Sequence, residues 1–247
     1  GKWVTYASYP ERTLWRSTVN GEQRMQLTTP PLQASLPRWS PDGKRIAFMG
    51  HYPGAAESIF ILGVDGGTAQ QVTLGGNSGD PTWSPDGNSI AFGGYPLDQR
   101  EAPHNMVLQI LNLSTHQATT LPGSGGLWSP RRSPDGRYLA ALSTDTRRLL
   151  LFDFESRRWT ELAKANIGYP TWSGDSQYIY FDTVGDDPAF YRVRVRDRKL
   201  EQIAGLKGIP RKVGAFGAWT GLTPDGSPLI ARDASFDEIY ALDWQAP

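Results

Sequence analysis

Twenty-five lysines and arginines against 25 aspartates and glutamates leave this 247-residue chain with no formal net charge, so no overall field draws it to nucleic acid or an anionic bilayer. It has no cysteine, which excludes disulfides, thiolate metal sites and a cysteine nucleophile, and no apolar run approaches the roughly 20 residues that span a membrane. Twenty-seven glycines and 19 prolines alongside nine tryptophans and ten tyrosines point to many short strands joined by tight turns. The opening GKWVTYASYP has neither the basic nor the apolar region of a signal peptide, so any targeting segment is expected to lie outside this chain.

In chain order, Gly1-Lys2-Trp3-Val4 aligns with Gly43-Lys44-Arg45-Ile46 as the start of a strand, and strands at Leu14-Trp15-Arg16 and Met25-Gln26-Leu27-Thr28 follow it. Next comes RWSPDGKRIAF, residues 38 to 48, whose Ser-Pro-Asp-Gly returns at TWSPDGNSIAF, RRSPDGRYLAA and, altered, at TWSGDSQYIYF and LTPDGSPLIA. These turns are headed by Ser40, Ser84, Ser133, Ser173 and Thr223, at spacings of 44, 49, 40 and 50 residues. A period of that size means stacked units, and four-stranded propeller blades have this length. Each turn reads as a hairpin corner, with Pro setting φ, Asp bonding nearby N–H groups and Gly taking the left-handed conformation. Strands then follow at Ile46-Ala47-Phe48, Ile90-Ala91-Phe92, Leu139-Ala140-Ala141 and Ile179-Tyr180-Phe181. Both of their faces are apolar, as in a strand within a stack of sheets. Third strands are expected at Ile59-Phe60-Ile61, Leu108-Gln109-Ile110, Leu149-Leu150-Leu151, Phe190-Tyr191-Arg192 and Ile239-Tyr240-Ala241.

The expected architecture is therefore all-β: one β-propeller domain over 1-247, built from six four-stranded blade units at about 1-28, 36-74, 80-121, 128-162, 169-204 and 216-244. The first unit lacks its inner strand and the last its outer one. One segment just upstream of Gly1 would supply both, so the chain is expected to be a fragment of a larger propeller or to close in an unusual way. Trp39, Trp83 and Trp172 stand beside their turns, where inter-blade packing is expected. Arg132 and Leu222 take that place in the other repeats, and a guanidinium there needs a partner or a route to solvent.

A WSPDG turn followed by a strand, an aromatic-rich strand and an L-T ending resembles the TolB-like, or PD40, class of β-propeller repeats, over essentially the whole chain. More narrowly, Arg12-Thr13-Leu14-Trp15-Arg16-Ser17, LLLFDF at 149 to 154, DPAFYRVRV at 187 to 195 and EIYALDW at 238 to 244 are similar to the C-terminal propellers of bacterial winged-helix multidomain regulators. The resemblance implies an extracytoplasmic, periplasmic module for sensing or protein binding, and it supplies no catalytic residues.

Chemistry-bearing motifs are few. His51, His104 and His116 are far apart with no i, i+4 pair, and no G-x-S-x-G elbow is present. Gly123-Ser124-Gly125-Gly126 joins two strands and opens no helix that could hold a phosphate. Asp182, Asp186 and Asp187 miss the spacing of a calcium loop. Arg192, Arg194 and Arg196 share one strand face, with Asp197 and Glu201 near enough to make that face salt-bridged. No metal or cofactor is implied.

Two functions stay open. The first is a non-catalytic module that binds a protein or peptide, or alternatively a glycan, through its loop face and channel mouth, with no nucleic-acid binding and no membrane insertion. The second is a propeller enzyme, a lyase or hydrolase acting on an acidic substrate at the central channel. The entrances to the first strands offer Arg38, Asp80, Arg131, Tyr169 and Phe216, which contain no evident acid–base pair. The long connections, Gly93 to Asn105 and Leu206 to Ala218, share one rim and carry Tyr95, Asp98, Arg100, His104, Lys207 and Arg211. Long loops on a rigid scaffold are where recognition usually resides.

Overall fold

The Ser-Pro-Asp-Gly corners fold as their side chains dictate. Ser40 Oγ donates to Asp42 Oδ1 at 2.5 Å and accepts the Arg45 N–H at 2.9 Å, Asp42 Oδ1 accepts the Lys44 N–H at 3.1 Å, and Gly43 sits at φ 68°. Ser84 with Asp86, Ser133 with Asp135 and Ser173 with Asp175 repeat the bond. In the fourth corner Ser176 takes the glycine position at φ 60°, and its hydroxyl accepts the N–H of Asp135 in the adjacent repeat at 3.1 Å. The recurring motif is thus scaffold.

The computed structural model describes residues 2–74, 76–94, 105–214, 216–223 and 225–234. Its strands form antiparallel sheets in chain order. The first sheet has three strands: β1 (Trp3–Ala7), β2 (Leu14–Thr18) and β3 (Met25–Gln26). Four sheets of four strands follow. They are β4 (Gln33–Trp39), β5 (Arg45–His51), β6 (Ser58–Gly63) and β7 (Gly66–Gln71); β8 (Ser78–Trp83), β9 (Ser89–Gly94), β10 (Val107–Asn112) and β11 (Ala118–Thr120); β12 (Leu127–Arg132), β13 (Tyr138–Ser143), β14 (Arg148–Asp153) and β15 (Arg158–Lys164); and β16 (Thr171–Trp172), β17 (Tyr178–Asp182), β18 (Ala189–Arg194) and β19 (Leu200–Gly205). Two hairpins complete the described residues: β20 (Val213–Gly214) with β21 (Gly217–Ala218), and β22 (Thr220–Leu222) with β23 (Pro228–Ile230). No α-helix occurs among the described residues.

The core lies between sheets. In the second sheet Ile46, Phe48, Phe60 and Leu62 pack back onto Leu14, Leu27, Leu32 and Ala34, whereas Ala47 and Ile59 pack forward with Trp83, Ile90 and Phe92. The same division recurs at Ala91 and Leu108 against Leu139 and Phe152, and at Ala140, Leu149 and Leu151 against Ile179, Phe181 and Val193. The forward face carries a small residue, Ala47, Ala91 or Ala140, where the next sheet comes closest. Trp83 and Trp172 are wedged in these interfaces, and each indole N–H donates to the preceding blade, Trp83 to the Arg38 carbonyl at 3.0 Å and Trp172 to the Arg131 carbonyl at 2.8 Å.

Five blades form among the described residues, not the expected six. The sixth repeat appears only as the hairpin of β22 and β23, and its expected third strand, Ile239 to Ala241, lies outside the described residues. The cause is local. Its corner is one residue shorter, closing from Thr223 N to Ser227 O where the second blade closes from Ser40 N to Arg45 O. Leu222 replaces the indole, and Pro228 brings no N–H to the ladder. Tyr180, rather than alanine, fills the forward face of the fifth blade and packs with Phe190, Leu206, Leu222 and Ile230. The connection from Leu206 to Ala218 is likewise not plain loop, because it holds the β20–β21 hairpin.

Arg132 stands where sister strands place tryptophan. Its guanidinium lies 3.7 Å over the Phe154 ring, and its Nε is buried without a hydrogen-bond partner. Burial lowers its pKa, opposed only by the more distant charges of Asp86 and Asp135. Arg132→Trp removes that orphan donor and aims an indole at the sister carbonyl of Thr82. The variant is expected to be more stable by up to about 1 kcal/mol, read as a melting temperature roughly 2–4 °C higher.

Candidate functional site

The inner strands carry a second repeat immediately ahead of the first four corners: Leu36-Pro37-Arg38-Trp39, Asp80-Pro81-Thr82-Trp83, Ser129-Pro130-Arg131-Arg132 and Tyr169-Pro170-Thr171-Trp172. Proline has no N–H for the ladder, so pairing breaks there. Each of β4, β8 and β12 is bulged at this point, with register shifts between Ser35 and Arg38, Gly79 and Thr82, and Trp128 and Arg131. The residues before proline, Leu36, Asp80 and Ser129, sit at φ 50°, 51° and 53°. Non-glycine residues hold such angles only where surrounding structure enforces them, and such strain gathers at functional positions.

The bulges bring three charged side chains together. Asp80, almost fully buried, accepts Arg38 Nη2 on Oδ1 at 3.0 Å, and Arg131 Nη2 on Oδ2 at 3.0 Å. The Ser129 hydroxyl also donates to Oδ2, at 2.6 Å. Arg131 has every nitrogen engaged, since Nε donates to the Pro170 carbonyl at 3.2 Å and Nη1 to the Pro130 carbonyl at 2.7 Å. Arg38 Nη1 reaches the Pro37 carbonyl at 3.2 Å. Four successive inner strands thereby share one polar knot.

Electrostatics follow from burial. Desolvation would raise the Asp80 carboxyl, but the charges of Arg131 and Arg38, with hydrogen bonds from Arg131 and Ser129, hold it below the ordinary carboxylate range. Arg38 is lowered to about 10, first by desolvation and then by repulsion from Arg131, which outweigh its attraction to Asp80. Tyr169 is pushed up to about 12 by desolvation and by the Asp80 charge, so it stays a neutral phenol.

A second knot closes the fifth blade. Asp182 is fully buried at the end of β17 and accepts the Tyr169 N–H at 3.0 Å and the Thr220 hydroxyl at 2.9 Å on Oδ1, and Arg211 Nη1 at 2.9 Å on Oδ2. It is therefore committed to holding the sixth repeat and is not grouped with Asp186 and Asp187. Gly168 permits this contact, because a Cβ there would lie 2.2 Å from Asp182 Oδ1. On the outer strands Arg192 pairs with Glu201 at 2.8 Å and Arg194 with Asp197 at 3.1 Å, giving the salt-bridged face its sequence suggested.

The expected site residues separate into groups. Arg38, Asp80, Arg131 and Tyr169 converge, although they are not sister positions, since Asp80 and Tyr169 precede their prolines and the arginines follow theirs. Arg211 is bound to Asp182. Lys207 is exposed beyond β19, and Phe216 is 39% exposed in the β20–β21 turn. Phe216 is therefore not at an inner-strand entrance, which for the sixth repeat is Thr220. Tyr95, Asp98, Arg100 and His104 lie outside the described residues. Sequence reasoning passed over Ser129, Asp182 and Thr220; the first had a signal, the Ser-Pro that matches Asp-Pro in the sister repeat.

Radially ordered sheets with bulged inner strands around a charged knot define a β-propeller domain. A search among curated proteins finds no sequence match, whereas the TolB β-propeller domain model, PD40, matches residues 1–209. The chain belongs to the TolB β-propeller (PD40) family. Among solved structures it is similar to the TolB-designated protein of Agrobacterium tumefaciens, with a TM-score of 0.72 and 20% identity over 94% of this chain and 85% of that one. It is similar also to TolB from Acinetobacter baumannii, with a TM-score of 0.70 and 19% identity over 94% of this chain and 61% of that one. A prolyl endopeptidase shares the fold at a TM-score of 0.60 and 15% identity, over 90% of this chain and 37% of its own.

Removing Asp80 leaves two guanidiniums facing each other in a buried place, so Asp80→Ala is expected to cost about 3–5 kcal/mol in urea unfolding. Because its carboxyl is held below its unfolded value near 3.8, Asp80 contributes stability that is complete above that value and lost as pH falls toward its lowered pKa. The acid limb of stability below about pH 4 should accordingly be shallower in Asp80→Asn than in the parent chain. Gly168→Ala should destabilise by roughly 1–3 kcal/mol through overpacking against Asp182.

Proposed function

We propose that this chain is a non-catalytic binding module that holds a protein partner on the rim opposite the Ser-Pro-Asp-Gly corners, in an extracytoplasmic, periplasmic setting. The observation that carries this reading is where apolar surface is left open. Tyr9, Tyr52, Leu74, Val184, Ile209, Val213, Phe216 and Trp219 all sit on connections of that rim, eight of the fourteen large exposed apolar side chains among the described residues. The corner rim has Val19 alone. Aromatic and aliphatic groups around a polar centre are the composition of a protein interface. Long connections on a rigid ring provide the shape variety that four-residue corners lack.

Catalysis is disfavoured by the state of the central knot. A general base works best with a pKa near the operating pH. Asp80 is instead held low by two arginines, and Tyr169 is held high. The periplasmic setting and the preference for a protein over a glycan are supported by membership of the TolB β-propeller family.

A photo-crosslinking residue at Tyr52 in the chain expressed in its host would identify the partner by mass spectrometry, after which both proteins can be purified. Replacing Tyr9, Tyr52 and Leu74 together with serine is expected to weaken the binary complex about tenfold or more, whereas serine at Val19 and Leu200 should change it less than about twofold. Undiminished binding by the first variant with its fold intact would remove the partner from this rim.

A further inference from the structure

We propose that the polar knot of the inner strands is a carboxylate receptor in which Arg38 takes an aspartate or glutamate side chain of the bound protein. This rests on the binding reading above and adds the chemistry of the ligand. Its basis is a charge count at a buried place. Arg38 and Arg131 carry two positive charges, Asp80 returns one negative charge, and Tyr169 is neutral, so among the described residues the knot retains one cation in excess. Arg131 cannot serve a ligand, because its three nitrogens are bound and its side chain is only 9% exposed. The Arg38 side chain is 22% exposed, so the excess charge meets solvent there.

Burying an unbalanced cation is costly, and a charge-assisted hydrogen bond from it to a carboxylate offsets that cost. Desolvation and then the repulsion of Arg131 disfavour the charged form of Arg38 by more than its attraction to Asp80 favours it. An approaching lysine or arginine would be repelled by Arg38, and a neutral segment would leave the excess in place. The strained bulges at Leu36, Asp80 and Ser129 keep the donors oriented before any ligand arrives, which lowers the ordering cost of binding.

The test uses the whole chain with ¹⁵N-labelled arginine and two isosteric peptides, acetyl-Gly-Glu-Gly-amide and acetyl-Gly-Gln-Gly-amide. The glutamate peptide should shift the Arg38 Nε–H resonance saturably in the millimolar range, with the glutamine peptide at least about tenfold weaker. Arg38→Gln should abolish the preference and Arg137→Gln, at the corner rim, should keep it. Equal affinities, shifts confined to surface arginines, a preference that survives Arg38→Gln, or saturation by inorganic phosphate but not by the glutamate peptide would each overturn the assignment. If Arg38→Gln fails to fold, the two peptides on the parent chain decide the matter, and Arg38→Lys should retain the preference at reduced affinity. Loss of the preference while the serine variants of the rim still release the partner removes the carboxylate assignment alone. Failure of both tests removes the binding reading with it.

Discussion

Neighbouring sheets approach one another only where the middle of a second strand presents a small side chain forward and large ones back. Ala47, Ala91 and Ala140 supply the clearance, and Ile90 and Phe92, Leu139, and Ile179 and Phe181 respectively fill it from the following sheet. The rest of the fold follows from that spacing. Three residues of one strand define the distance between layers, the layers define where the inner strands stand, and the inner strands define which side chains meet at the axis. Where Tyr180 stands in place of alanine, it packs with Phe190 and Leu206 and against Leu222 and Ile230 of the β22–β23 hairpin.

The polar knot depends on a different constraint. A regular inner strand would alternate its side chains between the two neighbouring sheets. Proline interrupts that alternation, and the bulge before it turns Asp80 and Ser129 out of the pleat. Backbone strain at three sister positions is thus the local cost of converging groups from separate blades. Convergence in turn makes a buried carboxylate tolerable, since each of its oxygens meets a guanidinium.

Much of the layer architecture was legible because its determinants are local: the hydroxyl-to-aspartate bond within a corner, the alternation of Ile-Ala-Phe, the glycine at positive φ. The convergence of Arg38, Asp80, Arg131 and Tyr169 was partly legible, since all four were read on the inner strands, although Arg38 and Arg131 stand near the corner ends of β4 and β12 and not at their entrances. Their alignment was not, because a bulge shifts register by a residue and leaves only a proline as its trace. Asp182 was hidden more deeply. It reads as one member of an acidic turn, and its partners Thr220 and Arg211 come from a distant segment. The sixth blade was overestimated for a related reason, since Leu-Thr-Pro-Asp-Gly keeps the look of a corner while lacking one residue.

Arg38 faces two ways. Its guanidinium meets Asp80, while its carbonyl accepts the Trp83 indole across the blade boundary, and the Arg45 guanidinium lies 4.7 Å over that same ring. Any movement of Arg38 is therefore delivered to a tryptophan already held between a carbonyl dipole and a cation. Indole emission responds to both kinds of field, so Trp83 is a natural optical reporter of what happens at the axis, with no label attached.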